Sequence, residues 1–191
     1  MTDEEFHSYK LPGVTAILDE IFGHEEFSHI PEHVLKAAGE RGSAVHKSIE
    51  DFIVKQQNKP QIDFIYQIYI DYFMDWYNKH TPNFLFSEEK LVSEELGYKG
   101  IIDTIFIDIY DNSSLVMCDW KTSSNLNIFK AKCQLNLYLL LFEYTHPNYK
   151  YNINKLKILS LTKTGYKYYE FKPDRELALA LLKIYKEKKN G

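Results

Sequence analysis

The chain has little of what staples or spans. Two cysteines in 191 residues, Cys118 and Cys133, are too few for a disulfide-dense scaffold, a four-cysteine zinc site or a four-cysteine iron–sulfur cluster. Both read as reduced, buried thiols. No long hydrophobic run occurs: the longest clean apolar stretch, Leu137–Phe142, falls far short of the ~18 residues that cross a bilayer. The opening residues, Met1-Thr-Asp-Glu-Glu, are acidic, unlike a secretory leader. Six prolines and eight glycines are scattered, so no linker divides the chain. No internal repeat is visible, and no GxGxxG follows a strand-like run, which argues against a dinucleotide fold.

What is present is an ordinary globular balance, 45% hydrophobic and 26% charged. A chain of this length can bury roughly 70% of its extended surface without staples. Net charge is −4, but it is unevenly spread: residues 1–119 hold 9 Lys+Arg against 22 Asp+Glu, and residues 120–191 hold 14 against 5. That asymmetry points to one surface that repels anions and another that attracts them. Solvated lysine-rich faces give the same count.

Helical spacing marks Val14–Phe22, Glu32–Ala38 behind Pro31, Gly39–Gln57 and Ile62–His80. Tyr66, Tyr69, Tyr72 and Trp76 read as a packed helix face. Strand-like runs follow at Phe84–Val92, Tyr98–Tyr110 and Leu115–Lys121, with a turn cluster at Asp111–Ser114. A helix over Asn127–Tyr144, a hairpin of Lys155–Thr162 with Tyr166–Phe171, and a closing helix over Pro173–Lys189 complete the pattern. This order predicts an α/β (α+β) fold with a mixed central sheet flanked by helices. It is expected as one domain over 1–191: a mainly helical part (1–83), a sheet core bearing the site (84–171) and the C-terminal helix (173–189).

Charge inside strand-like runs is the chemical signal. Asp103 interrupts Ile101-Ile102 and Thr104–Ile107, and Asp119-Trp120-Lys121 closes an otherwise apolar strand. Asp119 and Lys121, two apart, leave one face of the strand roughly 7 Å from each other. Buried charges need partners or a metal. Two carboxylates on neighbouring strands suit Mg²⁺ or Mn²⁺, and an adjacent lysine can orient or deprotonate water, or stabilise charge on a phosphate. A structural Asp–Lys pair explains the same residues. For both carboxylates to share one space, antiparallel strands must pair with an even sum of residue numbers, such as 103 with 121. That predicts an odd-length connection or a bulge near 111–114, since a two-residue turn at Asn112-Ser113 separates them.

In order along the chain, Leu11-Pro-Gly-Val-Thr-Ala-Ile-Leu18, Arg41-Gly-Ser-Ala-Val-His46, Gly100-x-x-Asp103, Asp119-Trp-Lys121 and Gln134-x-x-x-Tyr138 resemble the RecB-like and phage exonuclease branch of the PD-(D/E)XK nucleases. The resemblance runs from about residue 9 to 171. It implies a restriction-endonuclease-like core and a metal-dependent DNA exonuclease, with one or two Mg²⁺ or Mn²⁺ ions and no iron–sulfur cluster. Asp103 and Asp119 would be acidic ligands, Lys121 the catalytic lysine, the Trp120 carbonyl a backbone ligand and His46 a further ligand. Glu88 or Glu89 matches the family's upstream acidic position. Arg41, Gln134 and Tyr138 would meet the substrate. The implied partner is DNA, as a single strand or duplex end, with a protein partner in a recombination or replication complex also open. The implied setting is repair, recombination or phage DNA processing in the cytoplasm of a bacterial or phage-infected cell, with no membrane. A non-catalytic DNA- or protein-binding module and a structure-specific endonuclease are the alternatives.

Overall fold

The computed structural model describes residues 1–23, 30–56, 59–111, 114–149 and 152–190. Its helices are α1 (Asp3–Ser8), α2 (Val14–Phe22), α3 (Glu32–Val54), α4 (Gln67–His80), α5 (Ile128–Thr145) and α6 (Arg175–Asn190). Its strands are β1 (Asn83–Ser93), β2 (Tyr98–Asp108), β3 (Ser114–Lys121), β4 (Lys155–Thr162) and β5 (Gly165–Phe171). The five strands form one mixed sheet in the order β1-β2-β3-β4-β5. Neighbours run antiparallel except β3 and β4, whose parallel pairing needs the long crossover that α5 supplies. The architecture is therefore the mixed, helix-flanked sheet that the hydrophobic pattern predicts.

Two cores lie against the sheet, and strand periodicity divides residues between them. Along β3, Leu115 and Met117 join the core under α2, α5 and α6. Val116, Cys118 and Trp120 join the core under α3 and α4, with Tyr69, Phe73 and Trp76. Cys118 and Cys133 are buried free thiols in different cores. Among the described residues no helix is long and apolar enough to cross a membrane.

Local chemistry sets most boundaries. Asn127 caps α5 by accepting from the Lys130 N–H at 3.0 Å. Thr81, in the left-handed region with φ 37°, ends α4 just before Pro82. Two departures from the sequence reading have clear causes. The expected helices at 32–38 and from Gly39 are one 23-residue helix, because its two interior glycines, Gly39 and Gly42, cost only about 1 kcal/mol each against the packing of α3; it ends at Val54, and the expected end at Gln57 lies outside the described residues. Helix α1 has no apolar periodicity to mark it in the sequence, although Thr2 and Glu5 form a reciprocal capping box, with bonds of 2.7 and 3.2 Å.

The β2–β3 register positions the candidate site. Thr104 pairs with Cys118 and Asp108 with Ser114, so five residues connect the two strands. That is the odd-length connection expected; the turn read at Asn112-Ser113 itself lies outside the described residues. Carried one residue beyond the last pair, that register sets Asp103 opposite Asp119 rather than opposite Lys121, and the Trp120 N–H bonds to Asp103 there.

Candidate active site

Trp120 anchors the site from beneath. Its indole is buried edge-on against Trp76 and Phe73, at 5.5 and 5.7 Å between ring centroids. That packing holds the backbone at the end of β3 in place. The Trp120 N–H donates to Asp103 Oδ2 at 2.7 Å, and the Trp120 carbonyl lies 2.9 Å from His46 Nε2. The other ring nitrogen of His46, Nδ1, lies 3.5 Å from Asp103 Oδ2.

His46, Glu88 and Asp103 bring one ligand atom each to within 4.8 Å of one another. The structure thus separates the two upstream acids: Glu88 joins the group and Glu89 does not. On β1, Ser87 and Glu89 pair with Thr104 and Ile102, which brackets Glu88 opposite Asp103. Glu88 has φ 51°, a left-handed backbone that a glutamate adopts only at a cost of order 1 kcal/mol, and such strain concentrates at functional sites. Nothing in the residue types around 88 signals it.

Electrostatics here call for a cation. Burial, then the neighbouring Asp103, pushes the Glu88 carboxyl up to about 7. Burial raises Asp103 as well, with the His46 ring opposing and Asp119 adding to the rise. Beside them, Asp119, 3% exposed, faces Lys121 Nζ at 2.8 Å. Burial works to lower the Lys121 ammonium, but Asp119 and Asp103 outweigh it and hold the group above its ordinary value. Lys121 therefore stands as a charged donor rather than a resident base. The imidazole, two carboxylates and adjacent carbonyl are the hard and borderline donor set that Mg²⁺ or Mn²⁺ accepts, and the raised carboxyls show that the protein alone leaves their charge uncompensated. The residues fit such an ion.

Tyr138 sits near this group, its hydroxyl pushed up by burial and then by Asp119. It is 8% exposed, and its hydroxyl accepts from Gln134 Nε2 at 3.0 Å. Its ring rests on Gly100, where a Cβ would come 2.6 Å from Tyr138 Cε1. Gly100→Ala is accordingly expected to cost about 1–3 kcal/mol by overpacking. Urea melts check this, and an unchanged midpoint would show that the tyrosine swings away freely.

Arg41 lies over the Tyr69 ring, 5.6 Å from its centroid. It opens on a cavity of about 250 Å³ shared with Thr122, Ser124, Thr162, Lys163 and Thr164. Neither Arg41 nor Lys163 has a carboxylate partner among the described residues. The sequence reading had Arg41 but missed Lys163 and this ring of hydroxyls, which comes from two distant segments.

No family model matches the sequence, and no curated protein does. Solved structures share its shape. A "putative exonuclease" from Eubacterium rectale is 12% identical with a TM-score of 0.54, covering 100% of this chain and 84% of that one. A phage related exonuclease from Haemophilus somnus 129PT is 12% identical with a TM-score of 0.45, covering 96% and 94%. The protein SSO0001 is 16% identical with a TM-score of 0.48, covering 98% and 81%. The first of these establishes a common fold with this chain.

Proposed function

We propose that the protein is a divalent-metal-dependent deoxyribonuclease of the PD-(D/E)XK type, in its RecB-like and phage exonuclease branch, that hydrolyses DNA from ends. The observation that carries this reading is the convergence of His46, Glu88, Asp103 and the Trp120 carbonyl from four separate elements, beside the Asp119–Lys121 pair. Asp119 would complete the ligand set. A bound Mg²⁺ or Mn²⁺ would supply Lewis-acid charge stabilisation and a lowered pKa for water.

The chain's own residues divide the remaining work. Lys121, held by Asp119, presents a positive charge to a phosphodiester as negative charge builds on its oxygens. Hydrolysis forms a new P–O bond to water and breaks one P–O ester bond. Arg41 and Lys163, with the hydroxyls around them, offer donors to the phosphates on either side, which makes binding weaken as salt rises. Gln134 lines the space next to Lys121 and can reach the same strand.

Digestion of linear, closed circular and single-stranded DNA tests the reading. Linear DNA should be degraded with Mg²⁺ or Mn²⁺, spared in chelator, and circular duplex left intact. Cutting of the circle would make the protein an endonuclease. Absence of cutting with every metal would leave it a binding module.

A further inference from the structure

Beyond Lys121 the chain forms a ridge between two spaces of opposite character. Thr122 and Ser124 turn to the cavity of cations and hydroxyls around Arg41. Lys121, Ser123 and Asn125 turn the other way, into a groove of about 490 Å³ between α2 and α5. That volume is in the range of small-ligand sites, roughly 300–1,000 Å³.

The groove is built for an uncharged, flat group. Leu18, Leu126 and Ala131 supply apolar surface, and Asn125 and Gln134 bring amides that can both donate and accept. Its ionised pair, Lys130 with Asp19, crosses from α5 to α2 at 2.8 Å and neutralises itself. On α2, Thr15, Leu18, Asp19 and Phe22 share one face at helical spacing, so the groove wall continues to Phe22. There Phe22, 45% exposed, meets Phe129, 56% exposed, edge to face at 5.9 Å. Two large aromatics left open beside a groove that starts at Lys121 form a stacking surface, and aromatic side chains bind single strands by stacking on bases.

We propose that the α2–α5 groove is a nucleobase subsite: it receives a base of a single DNA strand whose phosphodiester lies at Lys121, and Phe22 with Phe129 stacks the next base. The proposal rests on the nuclease reading for the position of that phosphodiester. It deepens it by dividing the substrate across the ridge, phosphates toward Arg41 and bases toward Leu126. A base still paired in a duplex cannot enter, so the strand in the site is single-stranded.

The test is equilibrium binding of a fluorescein-labelled single-stranded 12-mer, with Ca²⁺ in place of Mg²⁺ and again in chelator, beside a 12-mer of abasic residues. Phe22→Ser and Phe129→Ser are both surface changes that leave the core untouched. Each should weaken binding of the base-bearing strand about tenfold and leave the abasic strand unchanged. Equal affinity of variants and wild type for the base-bearing strand would overturn the proposal. So would an equal loss on the abasic strand, or no binding of the 12-mer by the wild type. Cutting with Mg²⁺ separates the two ideas. Base-dependent binding without cutting keeps the subsite and rejects the nuclease. Cutting with binding blind to the bases keeps the nuclease and rejects the subsite.

Discussion

Lys121→Met should lower DNA cleavage about 10²–10³-fold, the usual loss when one preorganised donor to a developing oxyanion is removed. The same change should also destabilise the protein, because Asp119 is 3% exposed and would keep a buried charge without its partner. Breaking such a pair costs about 3–5 kcal/mol, whereas replacing both members by neutral groups is often close to neutral. Asp119→Asn combined with Lys121→Met should therefore recover most of the lost stability and none of the lost rate. This double-mutant cycle separates the two readings of Asp-x-Lys. A merely structural pair would show activity returning with stability. Retained cleavage in Lys121→Met at the wild-type rate would remove the lysine from the chemistry.

The second large effect concerns Glu88, pH and metal. With its carboxyl pushed up to about 7 from an ordinary 4.5, the folded protein binds more protons than the unfolded chain between those values. Stability of the metal-free protein should therefore be highest toward pH 4.5 as far as this group is concerned, and decline as pH rises through about 7. A cation reverses the balance by stabilising the ionised form. At 100 times its Kd it adds about 2.7 kcal/mol, or about 5–10 °C in Tm for a chain of this size. The Mn²⁺-induced shift should be large at pH 8 and small at pH 5.5, where protons compete. Glu88→Gln removes the uncompensated charge, so it should melt higher than wild type in chelator at pH 8 and gain little from Mn²⁺. Differential scanning calorimetry reads both effects, and a full Mn²⁺ shift in Glu88→Gln would take Glu88 out of the ligand set.

Particular residues show why parts of this architecture are legible in sequence. The continuous apolar run Leu115–Cys118 and the helical spacing along Val14–Phe22 are local, and each marks a buried element. Asp103, Asp119 and Lys121 stand out because charge within apolar strand runs needs a reason. The choice between Glu88 and Glu89 is different. Adjacent strand residues are not told apart by sequence, and what sets Glu88 opposite Asp103 is the β1–β2 register, with a left-handed φ of 51° at Glu88 itself. Tyr138 is a similar case, since helical spacing from Gln134 holds but the ring folds inward over Gly100.

The excess of acid in residues 1–119 and of base after them has a tertiary meaning. Lys130 pairs with Asp19, Lys155 with Asp111, Lys157 with Asp108 and Lys189 with Glu20, each across the two halves. Much of the contrast that reads as two oppositely charged surfaces is taken up in ion pairs between halves, and among the described residues Arg41 and Lys163 beside the site have no carboxylate partner. By itself the sequence determined the element order, the mixed sheet and the charged residues that break its apolar strands, because these follow from periodicities a few residues long. Only the tertiary structure decided that His46, Glu88 and Asp103 meet at one point, that a ridge beyond Lys121 parts a basic cavity from an aromatic-edged groove, and which lysines stay free. Those depend on register and crossover, which couple residues tens of positions apart and leave no trace in local pattern.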